Sequence, residues 1–103
     1  MQAWEMYFDE LRRRADGAER QAFGRHDRIA EAAHEAYRTV ADRLTSQHGW
    51  SDERTLVVMR GLNGAVKDWL DSDTTDWDRL GRELERREAE LREGFDGKPD
   101  GVA

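Results

Sequence analysis

From Trp4 to Leu44 the apolar side chains hold one helical phase. Trp4, Phe8, Leu11, Ala15, Ala18, Ala22, Ile29, Ala33, Ala36, Val40 and Leu44 all fall in a narrow sector at about 100° per residue. The opposite face carries unlike charges four apart, Asp9 with Arg13, Glu10 with Arg14, Asp16 with Arg20 and Arg38 with Asp42, a pattern that supports a solvated helical surface. Two points invite a break, Asp16-Gly17 and Gly24, because an Asp-Gly pair often marks a turn. The apolar phase nevertheless passes through both glycines unchanged, and each costs an exposed helical site only about 1 kcal/mol relative to Ala. The pattern predicts one long helix over about 3–47. The stripe alone would run about 60 Å as a helix, whereas a compact chain of about 100 residues has a radius of gyration near 13 Å. A continuous helix therefore makes a rod that leaves Trp4, Phe8 and Leu11 for another chain; a break at the glycines makes a four-helix bundle.

Farther along, Gly49 suits a helix end and Ser51 a helix start, with Asp52 and Glu53 well placed against the dipole of the helix that follows. That second helix is predicted over about 52–71. Its apolar positions, Leu56, Val58, Met59, Leu62, Ala65, Val66, Trp69 and Leu70, cover nearly half the circumference, which marks it as the central, most buried helix. Gly61 and Ala65, four apart, suit a close backbone approach. The acidic stretch from Asp71 to Asp76 reads as a connection, with Thr74 or Thr75 as N-cap of a third helix over about 76–93. The apolar line of that helix, Trp77, Leu80, Leu84 and Leu91 with Phe95 at its end, is interrupted at Arg87-Glu88 and is too short for a coiled coil. Residues 94–103, with three glycines and the only proline, lack apolar periodicity and are expected to form a flexible tail. The predicted fold is all-α: a three-helix antiparallel bundle or hairpin with one long N-terminal helix, a single helical domain over 1–93 and a tail over 94–103.

Composition narrows the class. With 103 residues, 37% of them apolar and 39% charged, there is room for one modest core and no apolar run long enough to span a bilayer. No secretory leader is evident after Met1, so a soluble, cytoplasmic protein is expected. The absence of cysteine excludes disulfides, thiolate zinc sites and cysteine nucleophiles together. A net charge of −6 opposes bulk attraction to nucleic acid. Arg12, Arg13, Arg14, Arg20 and Arg28 are the candidates for local phosphate contacts. The triplet forms a collar rather than a flat patch, since successive helical side chains point about 100° apart.

Candidate chemistry is sparse. Asp71, Asp73 and Thr75 have the opening spacing of an EF-hand loop, but Asp76 stands where the turn needs glycine and Arg82 where a bidentate carboxylate should close the shell. Glu31-Ala-Ala-His34 has the Glu-x-x-His spacing of di-iron bundles, yet Glu31 lies opposite the apolar stripe and no second copy of the motif occurs. His26 falls on the stripe itself, where a polar residue can fix register or partner choice. Ser46, Ser51 and Ser72 sit at caps and connections, and Gly61-Leu-Asn-Gly64 lacks the Lys-Ser or Lys-Thr of a phosphate loop. No catalytic residue, metal, cofactor or small-molecule substrate is expected.

In size and helical plan the chain is similar to the small helical subunits of CRISPR effector complexes, which pack along a ribonucleoprotein backbone. That resemblance implies a subunit of a larger protein or ribonucleoprotein assembly, contacting nucleic acid only within it, and transfers no site residue. The alternative is a phage-type inhibitor or adaptor that blocks a partner surface; a metal-binding helical bundle ranks below both. Protein association or self-association is expected, with Trp4, Phe8, Leu11 and His26 as the interface candidates.

Overall fold

In the computed structural model, which describes residues 2–17, 25–72 and 76–96, the first apolar segment is two helices, not one. On a continuous helix residues 14 and 39 would stand about 37 Å apart. Instead Arg14 Nη2 donates to Thr39 Oγ1 at 3.1 Å. The chain therefore doubles back between α1 (Ala3–Gly17) and α2 (Arg25–Ser46), which run antiparallel. Asp16 and Gly17 are the last residues of α1, so the chain reverses after the Asp-Gly pair, and the reversal prevails over the unbroken phase for an energetic reason. Folding the stripe onto itself buries Leu11, Ile29, Val40 and Leu44, each worth about 1.5–3 kcal/mol. Gly24 and the rest of the connection lie outside the described residues.

The second expected helix is α3 (Asp52–Asp71), and the third is α4 (Trp77–Asp96), which continues past residue 93 into the segment read as tail. Residues 97–103 lie outside the described residues. Gly49 leaves α2 at φ 70, the left-handed conformation favoured by glycine. That turn lets the Trp50 amide donate back to the Leu44 carbonyl at 2.9 Å. Ser51 caps α3, accepting from the Arg54 amide at 3.1 Å. The cap of α4 is Asp76, one of the residues expected in its first turn: Oδ1 accepts from the amides of Asp78 at 3.0 Å and Arg79 at 3.3 Å. The expected caps, Thr74 and Thr75, lie outside the described residues.

Each helix packs against two others, α1 on α2 and α4, and α3 on α2 and α4, with sequential helices antiparallel. The result is an up-down-up-down four-helix bundle with a radius of gyration of 14.3 Å. The core stacks Tyr7, Leu11, Val40, Leu44, Met59, Leu62, Leu80 and Leu84, all at most 2% exposed. Among the described residues α3 contributes the most buried side chains, as its broad apolar face implied, but it occupies one corner rather than the centre. Leu56, assigned to that face, is 44% exposed. At Gly61 what comes close is a side chain and not a backbone: a Cβ there would collide with Leu91 Cδ1 of α4.

Candidate interaction site

The pairing of α1 with α4 turns on one buried carboxylate. The first amides of a helix have no intrahelical acceptor, and at the start of α1 the acceptor comes from α4. Glu88, 1% exposed, takes the amides of Ala3, at 3.3 Å, and Trp4. Arg92 lies 3.9 Å from the same carboxylate and also reaches Gln2. Burial pushes the Glu88 carboxyl above the ordinary glutamate range, opposed by the Trp4 and Ala3 amides and by the charges of Arg92 and Arg54. The break in the apolar line at Arg87-Glu88 is where the sequence marks this contact. Arg87 bridges α4 to α3 instead, donating to the Gly61 carbonyl at 3.3 Å.

From this anchor an aromatic row follows the seam. Trp4 meets Phe8 with centroids 6.4 Å apart, Phe8 meets Trp77 edge-on at 6.3 Å, and Trp77 meets Trp69 at 5.0 Å. Trp69 is buried and its indole donates to the Asp76 carbonyl at 3.0 Å. Trp4, Phe8 and Trp77 are only half-buried. Exposed Arg12 lays its guanidinium over Phe8 and Trp77, 5.9 and 5.3 Å from their centroids. Gly81 of α4 accommodates the Phe8 ring, which stands 3.5 Å from where a Cβ would be.

Beside the row runs an open trough between α1 and α4. One part, of about 960 Å³, lies over Trp4, Ala89 and Glu88. A second, of about 390 Å³, lies over Phe8 and Gly81, and the two share Trp4, Glu5 and Glu85. A third groove of about 520 Å³ lies across the molecule between α2 and α3, lined by Tyr37 and Asn63 among others. Buried Tyr7 donates to Asn63 Oδ1 there at 3.2 Å. Burial, reinforced by the nearby Tyr37, raises the Tyr7 pKa far above its ordinary value, so Tyr7 serves as a neutral donor.

The four interface candidates do not share one fate. Trp4 and Phe8 are on the seam, as described. Leu11 is 0% exposed and packs within the chain, because α2 and α4 close over the N-terminal helix that a rod would have left bare. His26 belongs to α2, but its side chain lies outside the described residues. The arginine collar also divides. Arg13 and Arg14 are held by Glu10, as is Arg43 at 3.3 Å. Glu10 itself, placed by sequence on the solvated face, is 2% exposed. The sequence gives little warning of it, since its Arg14 partner reads as an ordinary surface pair. Arg28 on α2 is half-buried and engaged, and Arg20 lies outside the described residues.

The remaining motifs are apart from the seam. Glu31 and His34 are exposed on α2, and no three His, Asp or Glu side chains gather into a metal-binding cluster among the described residues. Asp71 is exposed at the end of α3, while Asp73 and Thr75 lie outside the described residues. The serine hydroxyls are engaged locally: Ser46 with the Asp42 carbonyl and Ser72 with the Trp69 carbonyl, both at 2.7 Å, and Ser51 as the α3 cap. No helix among the described residues is long and apolar enough to cross a membrane. In comparisons with protein-family models, curated proteins and solved structures, nothing matches this chain.

Proposed function

We propose that this protein is a noncatalytic helical subunit that works by association within a larger protein or ribonucleoprotein assembly, and that a protein partner sits on the α1/α4 seam. One observation carries the reading: Trp4, Phe8 and Trp77 form a half-open aromatic row under Arg12, beside a continuous trough. Aromatic rings and arginine are the side chains that supply most interface binding energy, since they bring large contact area at small entropic cost. The engagement of Arg13 and Arg14 by buried Glu10 favours a protein partner over phosphate as the main contact.

The test is purification of the tagged protein from its native source beside a variant with Arg12→Glu and Glu85→Arg. Both positions are exposed, so the thermal midpoint should stay within a few degrees. The expected result is a stoichiometric protein partner, depleted at least tenfold by the double variant. A partner retained by that variant but lost on altering the exposed face of α2 would refute the seam as the site.

A further inference from the structure

Resting on the association reading above, we propose that the α1/α4 trough receives a basic amphipathic helix, about four turns long, from the partner protein. Its reach sets the length. The trough follows α4 from Asp78 to Glu93, about 22 Å at 1.5 Å per residue, the span of about 15 helical residues. Its floor sets the amphipathic character: Trp4, Phe8 and the exposed Ala89 offer apolar surface with little side-chain bulk at Ala89, the mode in which a groove takes the apolar stripe of a helix.

The rim sets the charge. Glu5 and Asp9 stand on the α1 side, Asp78, Glu85 and Glu93 on the α4 side, and none of the five makes an ion pair among the described residues. Elsewhere on α4 the carboxylates are matched: Glu83 and Glu90 both pair with Arg86, at 2.7 and 2.6 Å. Of the two arginines lining the trough, Arg92 is engaged by Glu88 and Gln2, leaving Arg82 and, over the Phe8 ring, Arg12 against the five acids. On α4, Asp78 and Glu85 are seven residues apart and Glu85 and Glu93 eight, so they line one side at two-turn intervals. Lysines or arginines flanking the apolar stripe of a docked helix would meet them at matching intervals. A second copy of this chain bearing the same face would set these carboxylates against one another, so charge complementarity points to a different chain.

Three synthetic peptides of about 18 residues test this against isotope-labelled protein: a Leu/Lys amphipathic helix, its Leu/Glu counterpart, and a scrambled Leu/Lys sequence of the same composition. Binding is read by calorimetry at low and high salt, and location by backbone amide shifts. The expected result is that the amphipathic Lys peptide binds at least tenfold tighter than either of the others, gains helicity, weakens with salt and shifts amides of α1 and α4. The variant Glu5→Lys, Asp78→Lys, Glu85→Lys should lose at least tenfold in affinity. The variant Asp27→Lys, Glu31→Lys, Asp42→Lys makes the same change in net charge on exposed sites of α2 and should lose less than threefold.

Equal binding by the scrambled peptide, or equal loss in both variants, would overturn the proposal as mere net charge. Tighter binding of the Glu peptide on the same amides would overturn the basic partner while leaving the seam as an association site. Peptide shifts confined to α2 and α3 would overturn both readings. A concentration-dependent self-contact over the same amides, without peptide, would overturn the choice of a foreign chain.

Discussion

Truncating Glu88 to Ala removes the only described acceptor for two amides at the buried start of α1. Each buried donor left without an acceptor costs about 1–3 kcal/mol, and release of the desolvated carboxylate returns part of that. The net loss should be about 2–4 kcal/mol, or a fall of about 10–25 °C in thermal midpoint for a domain of this size. Glu88→Gln keeps one carbonyl oxygen able to accept and should lose only about 1–2 kcal/mol at neutral pH. The two variants differ further in pH dependence. Because burial raises the Glu88 pKa in the folded chain, the folded state holds the proton more tightly than the unfolded state. Its contribution is then fully present below the ordinary carboxyl pKa and is lost as pH rises through the raised folded value. Denaturant unfolding at several pH values between about 4 and 8 should show that loss in the wild type and a flatter profile in Glu88→Gln. A midpoint for Glu88→Ala within about 3 °C of wild type, or identical pH profiles for wild type and Glu88→Gln, would refute the role of α4 as the cap of α1.

Three further outcomes follow from the packing. Gly61→Leu should destabilise by about 1–3 kcal/mol through collision with Leu91, and Leu91→Ala in the same chain should recover part of it in a double-mutant cycle by denaturant titration. Leu11→Ala should cost about 2–5 kcal/mol in the same assay, as a core truncation does; an altered oligomeric state with unchanged stability would place Leu11 on a surface instead. The isolated protein should bind single-stranded RNA weakly at physiological salt by fluorescence anisotropy, since its net charge is −6 and Arg13 and Arg14 are engaged by Glu10. Tight binding that falls steeply with salt would contradict this.

The sequence by itself determined the helices from Asp52 onward, to within a few residues at their ends, and the helical spacing from Ile29 to Leu44, because the information for them is local. The apolar spacing from Ile29 to Leu44, the positive φ of Gly49, the Ser51 cap and the broad face of α3 each depend on a few neighbouring residues. The course of the first 47 residues was not legible in the same way. Helical phase survives a reversal of direction whenever both halves bury the same stripe, so periodicity cannot distinguish a rod from a hairpin; the gain from closing the stripe on itself decides it. The same holds for charge. Glu10 and Glu88 have the spacing of ordinary surface pairs, and only the approach of α2 and of the α1 amides makes them buried acceptors. Trp4 and Phe8 were legible as apolar, but the meeting of Phe8 with Trp77 some 70 residues later depends on α1 and α4 packing side by side. Local periodicity fixes which face of a helix is apolar; the tertiary structure decides which of those faces close against one another and which remain open to a partner.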